Sequence, residues 1–139
     1  MSKKNNQAKQ HFSYKNDEQE LVELCQFIRD AFPGITVERE WCIFYDRNDN
    51  YLGFGKTMSE GRITRFRTPD VMIIRDKKLI GCLELDGKVH EEAGFGDTLE
   101  RNDLYKKLRV PLKVITKSQM SISIFDEAYK KVSELLGVK

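Results

Sequence analysis

The chain has 139 residues, with 24 Lys+Arg against 22 Asp+Glu and 40% hydrophobic residues, which fits one globular domain and excludes a disordered chain, a collagen and a coiled-coil rod. No apolar run approaches the roughly 20 residues of a membrane helix, and the opening MSKKNNQAKQ is polar and basic, so neither a membrane partner nor a secretory signal is expected. Cys25, Cys42 and Cys82 lie far apart and form no CxxC pair; a disulfide scaffold or zinc site is not expected, and a reducing, cytoplasmic setting is.

Residues 1–15 carry Lys3, Lys4, Lys9 and Lys15 and no acid. Such a tail either touches nucleic acid or is a solvated terminus. The expected folded domain is then residues 16–139. Asp17 with Glu20 has capping-box spacing, and Leu21, Leu24, Cys25, Ile28 and Phe32 recur at helical period. Pro33 and Gly34 end that helix. Residues 35–45, rich in β-branched and aromatic side chains, read as a strand, with Trp41 and Phe44 as core. Residues 46–50 read as a turn. Residues 51–61 fit a short strand plus loop, residues 62–74 an extended stretch broken at Pro69, and residues 79–86 a further strand after the turn at 75–78.

A loop at 87–95 leads to a second helix near Asp97, with Leu104, Tyr105 and Leu108 as its apolar seam. Residues 110–116 read as a strand whose unbroken apolar end suggests burial on both faces. Ser123 caps a last helix, which Gly137 stops. The order is α-β-β-β-α-β-α, an α/β fold with a mixed central sheet flanked by helices.

Side chains alternate along a strand, so Ile80, Cys82, Glu84 and Asp86 are expected on one face. A two- or four-residue hairpin loop sets Asp70 opposite residue 83. A three-residue loop sets it opposite Glu84, about 5 Å away. Three acids so close repel strongly. A hard divalent cation with oxygen ligands, Mg²⁺ or Mn²⁺, relieves that repulsion; the plainer alternative is a solvated sheet face.

The pair Pro69-Asp70 followed by Glu84-Leu85-Asp86 resembles the PD-(D/E)XK nuclease superfamily, whose restriction-endonuclease-like core has the same α-β-β-β-α-β-α order. The stretch from Glu84 through Gly87, Lys88 and His90 to Asp97, Glu100, Arg101, Leu104 and Leu108 is similar to one branch. That branch holds the very-short-patch-repair endonucleases and related uncharacterised domains. The likeness covers residues 67–116 well and the first helix loosely. Asp86 stands where the superfamily usually has Lys, as in that branch. The zinc-binding cysteines of the repair enzyme are missing, so its mismatch specificity is not carried over.

The resemblance implies a metal-dependent DNA endonuclease that hydrolyses phosphodiesters. Asp70, Glu84 and the Leu85 carbonyl would hold the metal, with Asp86 as further ligand or orienter. Glu20 or Glu23 would add an outer carboxylate; both also fit the polar face of an amphipathic helix. His90 would act as base or leaving-group acid, and either it or Lys88 would replace the missing lysine. Arg101 would clamp a phosphate or pair with Asp97 or Asp103. Apart from the resemblance, Arg65 and Arg67 share a strand face and, with Arg62, suit either a backbone-phosphate track or a solvated edge. A lone chain this size cuts one strand, so double-strand cleavage would require a homodimer. The alternative is a nucleic-acid-binding module on the same fold without the chemistry.

Overall fold

The structure, a computed structural model, describes residues 13–56, 65–86, 95–116 and 123–137; for 13–17 and 95–98 the helical backbone alone is described. The elements in chain order are α1 (Ser13–Ala31), β1 (Thr36–Glu38), β2 (Cys42–Tyr45), β3 (Tyr51–Gly55), β4 (Arg65–Arg67), β5 (Val71–Arg75), β6 (Lys78–Asp86), α2 (Phe95–Leu108), β7 (Leu112–Thr116) and α3 (Ile124–Leu136). This is a mixed α/β architecture with more strands than the sequence pattern predicts. Among the described residues no helix is long and apolar enough to cross a membrane.

Four strands form one sheet in the order β1-β5-β6-β7. β1 and β6 run antiparallel to β5, and β7 runs parallel to β6. A second, antiparallel sheet has the order β3-β2-β4. Two expected strands are each divided between these sheets. Residues 35–45 split at Glu40, whose left-handed backbone (φ 66°) interrupts the extended run; β1 joins the first sheet and β2 the second. The stretch 62–74 splits at Pro69, which lacks a ladder donor. β4 then pairs with β2, and β5 with β1 and β6.

The β5–β6 hairpin realises both expected registers. Asp76 and Lys77 form a two-residue turn, both at positive φ (54° and 66°), as the strand twist favours. Arg75 pairs with Lys78 and Ile74 with Leu79. A bulge then shifts the register, and Ile73 pairs with Gly81, Met72 with Cys82 and Val71 with Leu83. The extra residue reverses the alternation. Ile80 therefore packs on the Leu83 face and Leu79 on the Cys82 face, which corrects the expectation that Ile80 shares a face with Cys82, Glu84 and Asp86.

Each face of the first sheet carries its own core. On one, Leu24, Cys25 and Ile28 of α1 and Ala128 and Val132 of α3 enclose Val71, Ile73, Leu83 and Ile115. Phe27 meets Phe125 at 5.3 Å between centroids. On the other, Tyr105 and Leu108 of α2 and Ile43 of the second sheet enclose Met72, Ile74 and Cys82. Trp41 packs against this second core beside Phe54. Phe44 does not: it pairs across the sheet with Phe66, which is exposed.

α3 approaches β6 at Gly81, where a Cβ would stand 2.6 Å from Leu135 Cδ2. Ser123 caps α3 by accepting the Phe125 N–H at 3.1 Å, and Gly137 ends it in the left-handed region. β7 is an edge strand with only Ile115 fully buried, so the expected burial on both faces does not hold. Lys113 on it pairs instead with Glu134 of α3 at 2.9 Å.

Candidate active site

The candidate acids gather where β5 begins and β6 ends. Val71–Leu83 is the last backbone pair of the hairpin. One residue beyond it, the Asp70 side chain takes over: its Oδ2 accepts the Leu85 N–H at 2.7 Å. Glu84 and Asp86, both on the face towards α2, are 7% and 4% exposed. The alternation expected of 82, 84 and 86 thus holds beyond the bulge.

Arg101, in the second turn of α2 and 3% exposed, takes Asp86 as its carboxylate partner rather than the expected Asp97 or Asp103. It grips Asp86 with both ends of the guanidinium, Nη1 to Oδ1 at 2.9 Å and Nη2 to Oδ2 at 3.1 Å, the bidentate geometry that suits Arg to a carboxylate. Its Nε donates to Asn102. Burial works against the charge of this guanidinium, but Asp86 outweighs it and holds the pKa above the ordinary arginine value.

Glu84 is held more loosely. Tyr105 Oη donates to its Oε2 at 3.3 Å. Arg67 Nε and Arg101 Nη1 stand at 3.8 and 3.9 Å, ion-pair distances beyond hydrogen bonding. Burial, then the neighbouring Asp70 charge, push the Glu84 carboxyl up to about 7, against the pull of Arg67, Arg101 and Tyr105. Burial also raises Asp70, with the Leu85 N–H opposing and Asp86 adding repulsion. Burial and the Glu84 charge push the Cys82 thiol up to about 12, so it stays protonated at neutral pH.

Two residues enter the site in roles the sequence pattern did not assign. Arg67, expected on a phosphate track, lies beside Glu84, and its Nε is shut from solvent without a hydrogen-bond partner. Tyr105, expected only as part of an apolar seam, carries its hydroxyl to Glu84. The spacing of Arg101 and Tyr105, four apart on one helix face, is the signal for it. Arg65 is exposed on β4. Glu20 is half-buried and Glu23 exposed on α1, whose apolar side packs on the opposite sheet face from Glu84; Gln19 donates to Glu23 at 3.4 Å. Arg62, Lys88 and His90 lie outside the described residues.

Among the described residues, no group of three or more His, Cys, Asp or Glu side chains is placed to hold a metal ion. Asp86 is gripped by Arg101, and Asp70 and Glu84 are the remaining neighbouring pair of acids. A scan against protein-family models gives no match, and searches of curated proteins and of solved structures give none either.

Proposed function

We propose that the chain is a metal-dependent DNA endonuclease acting through Asp70 and Glu84. The observation that carries this reading is the pairing of buried Glu84 with half-buried Asp70, both with raised pKa, at the end of one hairpin. Neighbouring buried acids are a standing electrostatic cost, and a hard cation with oxygen ligands offsets it. A strand residue directs its N–H and C=O to the same edge, so the Leu85 carbonyl joins Asp70 and Glu84 in the donor set that suits Mg²⁺ or Mn²⁺. Such an ion, when bound, supplies hydroxide near neutral pH and offsets charge on the phosphate. Asp86 orients Arg101 rather than binding the cation. Arg67, with an unsatisfied Nε beside Glu84, supplies the positive charge that the usual lysine would bring to the developing oxyanion.

The test is incubation with labelled duplex, single-stranded and junction DNA in Mg²⁺, Mn²⁺ or EDTA. EDTA, Asp70→Ala and Glu84→Ala are each expected to abolish cleavage. Wild-type cleavage rates in either variant would overturn the assignment.

One observation favours a second reading, a nucleic-acid-binding module without chemistry: Arg67 and Arg101 already compensate the acids without a metal. In that case DNA binding persists, while Mn²⁺ produces neither cleavage nor a rise in melting temperature.

A further inference from the structure

At the far end of β6 lies a cavity of about 310 Å³ lined by Tyr51, Phe54, Lys77, Lys78 and Arg109, among other residues. β6 is nine residues long from Lys78 to Asp86, which puts its two ends about 26 Å apart. The cavity is therefore distinct from the acid cluster and independent of the nuclease reading. Its lining contains three cations and no acid. Lys77, Lys78 and Arg109 are exposed, and none forms an ion pair with another described residue.

Two of these cations occupy backbone positions where glycine is the favoured residue. Lys77 (φ 66°) is the second residue of the hairpin turn, and Arg109 (φ 61°) is the left-handed residue that closes α2. Glycine is the usual choice at both places, because a Cβ is disfavoured there. The chain instead carries a long cation at each, and both line the same cavity. Glu40, Asp49 and Asp76 share that backbone region, so it is the placement of both long cations on one cavity, not the conformation alone, that points to a role for their side chains.

We propose that this cavity binds a nucleotide, with its base against Phe54 and Tyr51 and its phosphate among Lys77, Lys78 and Arg109. The volume falls at the lower end of the range for small-ligand sites, which suits one nucleotide rather than a dinucleotide. Aromatic faces accept any base by stacking, and lysine and arginine are the ordinary phosphate partners. A free mononucleotide and the phosphorylated end of a strand present the same chemistry.

Trp41, the one tryptophan of the chain, lies 6.4 Å from Phe54 between ring centroids, so its fluorescence reports occupancy. The titrants are AMP, adenosine, inorganic phosphate, and an oligonucleotide with and without a 5′-phosphate. AMP is expected to bind at millimolar concentration or tighter, with adenosine and inorganic phosphate each weaker by roughly tenfold or more, the loss of one set of contacts. Preference for the phosphorylated oligonucleotide over AMP would identify a strand end as the source; the reverse would identify a free nucleotide. Lys77→Gly and Arg109→Gly remove the cations and relieve the backbone, so they are expected to fold at least as well as wild type while weakening AMP by roughly tenfold. Two results would overturn the proposal: no response to AMP or to the phosphorylated oligonucleotide, or AMP binding that both glycine variants leave unchanged.

Discussion

Asp70 continues the ladder between β5 and β6 with its side chain, its Oδ2 accepting the Leu85 N–H at 2.7 Å just past the last backbone pair. That bond fixes the carboxylate beside Glu84 while leaving Oδ1 uncommitted to it. The same contact therefore shapes the strand end and sets the electrostatics of the site.

The first prediction concerns pH. Glu84 has an ordinary pKa of 4.5 and is held at about 7 when folded. The folded state thus binds the proton more tightly than the unfolded state. Its burden on stability is absent below pH 4.5, grows as pH rises and is complete above about 7. The full effect is about 3 kcal/mol. Denaturant midpoints of wild type should fall across that window, and Glu84→Gln should flatten the profile. A wild-type profile without the fall would mean that Glu84 titrates normally.

Two substitutions should move the Glu84 midpoint in opposite directions. Asp70 raises it and Arg67 lowers it. Asp70→Asn is therefore expected to bring the midpoint below about 7, and Arg67→Met to raise it. Carboxyl carbon chemical shifts followed by NMR would show both, and equal midpoints in the two variants would refute the arrangement.

Removal of one partner from the Arg101–Asp86 pair leaves a buried charge alone, since the two side chains are 2% and 6% exposed. Arg101→Ala should lower unfolding stability by about 3–5 kcal/mol, measured by urea titration. Replacement of both partners with apolar residues should recover most of that loss.

On the proposed DNA-binding reading, Arg65 and Arg67 should behave differently. Arg65 is exposed on β4, so Arg65→Ala should flatten the log–log salt dependence by about one unit. Binding isotherms at several salt concentrations measure this, and an unchanged slope would place the phosphate track elsewhere.

Gly81→Ala would set a methyl 2.6 Å from Leu135 Cδ2 and 3.1 Å from the Pro111 carbonyl. The leucine tip can move, but the backbone oxygen also accepts the Cys82 N–H and is fixed. The expected loss is about 1–3 kcal/mol, as for other overpacked sites, read from thermal or urea unfolding.

Local physics made much of this chain legible in its sequence. The apolar period of Leu24, Cys25 and Ile28, the Ser123 cap and the Gly137 stop all act within a few residues, so the body of α1 and all of α3 could be read directly, although α1 begins at Ser13 and runs through the Asp17 expected to cap it. Hairpin arithmetic left two registers open for Asp70; the two-residue turn alone would set it opposite residue 83, and the bulge at Ile80 brings it to Glu84. Distant partners decided the rest. Residues 35–45 and 62–74 each divide between two sheets, since pairing depends on what lies across the ladder and not on strand propensity. The bulge at Ile80 turned one side chain over. The identity of the acids was visible in the sequence, but the state of each was not. Only the packing of α2 against β6 brought Arg101 to Asp86 and Tyr105 to Glu84. Only β4 brought Arg67 beside them. Burial and charge are properties of the assembled site, so its electrostatics belong to the tertiary structure alone.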